Sequence, residues 1–110
     1  MEKARRLTNN ASFNYIYKHG TAISSPLLVL IYVKAAGLKI GISVSKKVGG
    51  SVTRNKAKRR IREAATSLIP RLSSSFNCVI AAREGIANAD FHEIKDSLAS
   101  LFTKAGHLTS

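Results

Sequence analysis

Acid is the scarcest chemistry in this chain. Against 18 Lys and Arg stand six Asp and Glu, three His, one Cys and no Trp. Each shortage excludes something. A metal-dependent nuclease centre gathers several carboxylates around its ions. Here the acids are scattered, and only Glu63 lies in the most basic stretch. His19, His92 and His107 sit apart with no orienting partner in the sequence, so no acid–base pair is expected from them. No CxxC, P-loop or GxSxG motif is present. The lone Cys78 excludes an internal disulfide and fits a reducing, cytoplasmic setting; its apolar neighbours predict a packed thiol. The longest apolar run, Leu27 to Val33, is too short to span a bilayer. The opening MEKARRLTNN is basic but has no apolar core of a signal peptide. Catalysis by this polypeptide alone is not expected.

What is there is positive charge on a globular frame. The chain has 110 residues, 45% of them apolar, and a formal net charge of +12. The length predicts one domain over residues 1–110 with a modest core. A charge so large on so small a domain calls for a polyanion, and nucleic acid fits better than a membrane surface.

In chain order, residues 1–7 are basic and expected to be frayed. Thr8, Asn9 or Asn10 caps a helix to about His19, with Phe13, Ile16 and Tyr17 on one face and Gly20 as its stop. That aromatic stripe is either plain core or partly open as a stacking surface for unpaired bases. Thr21 to Ile23 reads as an edge strand, and Leu27 to Val33 as a central one. Lys39 to Ser45 alternates: Ile40, Ile42 and Val44 point to the core, while Gly41, Ser43 and Ser45 make a flat, small-residue face. That face is either solvated or able to receive a ligand backbone. Phe76 to Ala82 is a fourth strand, and Asn88 caps a last helix from about Ala89 to Lys104. This helix carries Asp90, Glu93 and Asp96 and looks like packing alone.

The stretch from Val44 to Ala65 stands apart. Eight of the 18 Lys and Arg residues fall between Lys46 and Arg62: Lys46, Lys47, Arg54, Lys56, Lys58, Arg59, Arg60 and Arg62. Gly49 and Gly50 lead out of the strand. Ser51 or Thr53 can cap the helix that follows, and Pro70 marks its end. Ala57, Ile61, Ala64 and Leu68 form a narrow apolar seam at helical spacing. Arg54, Lys58 and Arg62 follow one i, i+4 row, with Asn55 and Arg59 nearer the far side. The row has no acidic partners, so its charges repel, a cost best explained if it neutralises phosphates. The strand–helix–strand order suggests a parallel crossover.

The segment SKKVGGSVTRNKAKRRIRE, Ser45 to Glu63, resembles the basic segment of the protein component of bacterial ribonuclease P, where SKK-hydrophobic-Gly leads into a helix opening with Arg-Asn-Arg. The order of the remainder is similar too: Phe13 to Gly20 ending in KHG, paired strands, VIAAR from Val79 to Arg83, then a Phe-bearing final helix. Lys56 stands where the family usually has the second Arg, keeping charge but losing the planar fork. Ala57 is smaller than the usual Ile or Leu, which suggests looser packing there. The resemblance implies an α+β sandwich in α-β-β-β-α-β-α order. Its four-stranded mixed sheet would have a left-handed βαβ crossover, resembling ribosomal protein S5 domain 2, against the usual right-handed rule.

It also implies a protein subunit that assists a catalytic RNA in cutting the 5′ leader from precursor tRNA, one protein per RNA, with Mg²⁺ held mainly by the RNA. Lys46, Lys47, Arg54, Asn55, Lys56, Lys58, Arg59, Arg60 and Arg62 would then face RNA. Phe13, Tyr17 and Ser43 would line a cleft for the leader. Two other classes share the charge balance: a structural protein of a ribosome-like particle, and a DNA-binding module with its helix in a major groove. The aromatic helix beside a bare sheet face favours the first reading over the particle protein. Cations on nearly all sides of the basic helix leave few side chains to read bases, which disfavours the DNA module.

Overall fold

The structure, a computed structural model, describes residues 1–109; Ser110, the end of the expected domain, lies outside the described residues. Seven regular elements follow in order: α1 (Asn10–His19), β1 (Thr21–Ser24), β2 (Leu28–Lys34), β3 (Lys39–Ser43), α2 (Ser51–Leu68), β4 (Phe76–Ala82) and α3 (Phe91–Lys104). The strands form one four-stranded sheet in the order β1-β2-β4-β3. β2 pairs antiparallel with β1 and β4, while β3 runs parallel to β4, so β3–α2–β4 is the expected parallel crossover in a mixed sheet.

Side-chain alternation along the strands makes two unequal layers. One face carries Leu28, Leu30, Ile40, Phe76, Cys78 and Ile80, closed by α2 and α3 together. The seam of α2 is as the spacing predicts: Ala57, Ile61, Ala64 and Leu68 are all buried, with Ala65 beside them. α3 adds Ile94, Leu98, Leu101 and Phe102. Each fully buried aliphatic or Phe side chain contributes roughly 1.5–3 kcal/mol of transfer free energy. Burial also pushes the Cys78 thiol well above the usual range, so it stays protonated among its apolar neighbours. The other face is thin. There Ile31 and Val79 meet a single buried residue of α1, Ile16.

Three boundaries differ from the sequence reading. β3 stops at Ser43, because Lys46–Val48 winds into a 3₁₀ turn; Val44 is still buried, but Ser45 has left the sheet. α3 begins at Phe91 rather than near Ala89, because Glu84–Asn88 forms a 3₁₀ turn; the cap is Asp90, not Asn88. The N-terminal residues are ordered rather than frayed. Lys3–Arg5 is a 3₁₀ turn, Arg6 bridges Ile40 in parallel, and Leu7 N–H donates to the Ile40 carbonyl at 3.0 Å. This pairing covers the outer edge of β3 with backbone partners it would otherwise lack.

Candidate nucleic-acid interface

The basic segment starts where the sheet ends. After the Lys46–Val48 turn, Gly49 takes φ +154°, a backbone state open only to glycine, and the Thr53 side chain sits over it. That twist turns the chain into α2. The helix N-cap is Gly50, with no side-chain cap and no acid in the first turn, so neither Ser51 nor Thr53 serves as the cap the sequence suggested. The first N–H groups of α2 therefore add their partial positive charge to that of the flanking lysines.

The predicted RNA-facing residues divide into three sets. Lys46, Lys47, Asn55, Lys56 and Arg59 are exposed. Arg54, Lys58 and Arg62 are half-buried along one flank, and the Nε of Arg54 is buried with no hydrogen-bond partner in the protein. Lys58 and Arg62 share a cavity of about 230 Å³ with Arg6 and Thr8, walled by Ile40 and Ile42. Arg60 lies on the opposite flank and donates from Nη1 to the Ala89 carbonyl at 3.0 Å, tying α2 to the start of α3. One of its guanidinium nitrogens is thus engaged within the protein. Among the described residues, the Arg side chains bonded within the protein, Arg60, Arg71 and Arg83, donate to backbone carbonyls rather than to carboxylates. The row of Arg54, Lys58 and Arg62 has no acid one turn away along the helix.

On the thin face of the sheet, α1 resolves the aromatic question by dividing its stripe. Ile16 is core. The tip of the Phe13 ring lies against Gly41: a Cβ there would come within 2.6 Å of the ring's Cζ. Tyr17 is 48% exposed, with its ring centroid 6.4 Å from that of Phe13. Ser43 pairs with Ala81 two residues beyond the Gly41–Val79 pair, on the same sheet face. The flat face expected from Gly41, Ser43 and Ser45 survives only at Ser43, since Phe13 and Leu7 cover Gly41 and Ser45 has turned away.

Among the described residues, no three His, Cys, Asp or Glu side chains gather closely enough to hold a metal ion. Nor, among those residues, is any helix long and apolar enough to cross a membrane. Sequence reasoning missed two features. Arg6 joins the Lys58–Arg62 flank only through the Arg6–Ile40 bridge, and its one signal was the apolar Leu7 beside it. His107 stacks on Phe76 at 3.9 Å, its Nδ1 2.9 Å from Ser73 Oγ; the fold brings these together across distant positions, and no local pattern announces it.

The family model described as Ribonuclease P matches residues 1–106. The ribonuclease P protein component of Clostridium acetobutylicum is 42% identical over 108 residues, covering 94% of this chain and 91% of that protein. That of Caldanaerobacter subterraneus subsp. tengcongensis is 37% identical, with 94% and 90% covered. Among solved structures, a Staphylococcus aureus RNase P protein mutant with defective mRNA degradation activity superposes with a TM-score of 0.89 at 32% identity, over 98% of this chain and 93% of that one. The RNase P protein from Thermotoga maritima gives 0.82 at 26% identity, over 90% and 96%. With a family model matching nearly its whole length and relatives 42% and 37% identical over most of theirs, the chain belongs to the ribonuclease P protein family.

Proposed function

We infer that this chain is the protein component of a ribonuclease P, working with a catalytic RNA to remove the 5′ leader of precursor tRNA in the cytoplasm, one protein per RNA. The observation that carries this is the pairing of two unlike surfaces on one small domain. A cationic flank without internal carboxylate partners suits folded RNA backbone. A shallow trough on the α1 side of the sheet, floored by half-buried Phe13 and edged by exposed Tyr17, suits unpaired nucleotides, which stack on exposed rings.

In this reading Arg54, Lys58 and Arg62, with Arg6, neutralise phosphates of the catalytic RNA along one flank of α2. Lys46, Lys47, Asn55, Lys56 and Arg59 extend that contact around the helix N-terminus. Arg60 holds α2 against α3, so its substitution acts through positioning as well as charge. Phe13, Tyr17 and Ser43 receive the leader. The protein's donor set is nitrogen-rich and acid-poor, unsuited to a hard cation that wants oxygen ligands; Mg²⁺ is held mainly by RNA phosphates. The protein lowers the Mg²⁺ requirement by supplying fixed cations in its place.

The test is cleavage of precursor tRNA by the catalytic RNA at limiting Mg²⁺, with and without protein. Faster cleavage or tighter substrate binding with protein is expected. No effect on either rejects this reading and leaves the particle protein as the alternative. Phe13→Ala should weaken binding of precursor tRNA and spare mature tRNA; equal losses would reject the leader trough.

A further inference from the structure

α1 has a second aromatic flank that the leader trough does not use. Tyr15 points away from the Phe13–Tyr17 side and is 58% exposed. Its ring lies 4.5 Å from that of His19, one helical turn on. Together with Thr21, Tyr32, Lys34 and His107 these residues line a cavity of about 500 Å³, within the usual size range of small-molecule sites, roughly 300–1,000 Å³. Its back wall is stiff. His107 sits edge-on to Tyr32 at 5.3 Å and is stacked on the buried Phe76 at 3.9 Å. Its mouth holds the exposed Tyr15 and the ammonium of Lys34, and no Asp or Glu among the described residues lines it.

Rings at the wall, an exposed ring at the mouth and a cation beside them form a site for a flat, electron-rich group attached to an anion. We propose that this cavity takes an unpaired nucleobase of the precursor leader, stacked on Tyr15 with its phosphate against Lys34, after the strand has rounded the C-terminal end of α1. The proposal rests on the leader trough assigned above. The geometry favours leader over catalytic RNA. The cavity lies at the Lys34 end of β2, whereas β3 delivers the chain to Lys46 and the start of α2 at the opposite end of the sheet. In the last turn of α1, Tyr17 of the trough and His19 of the cavity stand two residues apart, so a single strand can engage both.

Tyr15→Ala and Lys34→Ala are tested in the reconstituted holoenzyme against three ligands: mature tRNA, precursor with a short leader ending within the trough, and precursor with a long leader. Loss of one stacked base weakens binding by about fivefold or more. That loss is expected for the long leader alone, with Tyr15→Phe restoring affinity. Phe13→Ala should weaken both precursors. If Phe13→Ala acts but Tyr15→Ala does not, the cavity proposal fails while the trough stands; if Phe13→Ala is silent, the trough reading itself fails. Equal losses with Tyr15→Ala on all three ligands, mature tRNA included, would place a base of the catalytic RNA in the cavity and overturn the proposal. The chain has no Trp, so a Tyr15→Trp holoenzyme reports directly: indole emission should be quenched by the long leader and not by the short one, and equal emission with both contradicts the assignment.

Discussion

α2 and α3 pack side by side on the same sheet face, yet they are finished differently. α3 is closed at both ends. Asp90 and Glu93 form a reciprocal capping box with bonds of 2.9 and 3.2 Å. At the other end Gly106 and His107 N–H groups donate to the Thr103 and Phe102 carbonyls, each at 3.0 Å, in the pattern of a Schellman stop. α2 has no side-chain cap, no acid in its first turn and no base in its last. Its row of Arg54, Lys58 and Arg62 runs without acidic partners, which costs the free protein stability. One helix is optimised for the fold. The other gives up capping and charge balance and is held by its seam of Ala57, Ile61, Ala64 and Leu68.

The largest test of that contrast removes the seam. Ile61→Ala on α2 and Leu98→Ala on α3 both truncate fully buried side chains, and each should lower stability by about 2–5 kcal/mol in chemical denaturation. A much smaller loss at Ile61 would mean that α2 is held by something other than its seam. Next in size is the charge. Lys58→Ala with Arg62→Ala should weaken association with the catalytic RNA and reduce the slope of log affinity against log salt by about 1.5, whereas Lys95→Ala with Lys104→Ala on α3 should change neither.

The caps come third. Asp90→Ala should cost about 1 kcal/mol. Gly50→Asp supplies α2 with the cap it lacks, at a position where a Cβ meets nothing within 4 Å. It should stabilise the free protein by a few tenths of a kcal/mol and weaken RNA binding, a trade the α3 variant cannot show. The smallest effect is at His107, just beyond α3. Desolvation lowers its pKa in the folded state. The unfolded chain therefore takes up the proton first, so stability is full above about pH 6.5 and falls as pH drops below it. His107→Phe should flatten that dependence in thermal melts between pH 7.5 and 5.5.

Much of this was legible locally. Phe76–Ala82 is an apolar run broken only by Asn77, so β4 is found to the residue. The 3.6-residue spacing of Ala57, Ile61, Ala64 and Leu68 fixes the buried side of α2, and with it the flank on which Arg54, Lys58 and Arg62 fall. What stayed hidden depends on partners far away in sequence. Beside Arg6 only the apolar Leu7 hints at the bridge to Ile40. Asn88 and Asp90 are equally good cap residues until the Glu84–Asn88 turn uses up the first. Gly41 reads as open floor because only the fold sets Phe13 on top of it. Tyr15, Tyr32 and His107 belong to three elements, and no periodicity within one of them brings the others to mind.

The central claim is that the charge on α2 is a burden to the protein alone and an asset on RNA, and one salt titration tests both halves. From 50 to 200 mM salt the melting temperature of the free protein should rise, as screening relieves repulsion. Over the same range its affinity for the catalytic RNA should fall on the order of 10³-fold. A free protein whose stability is indifferent to salt, or falls with it, would contradict the account.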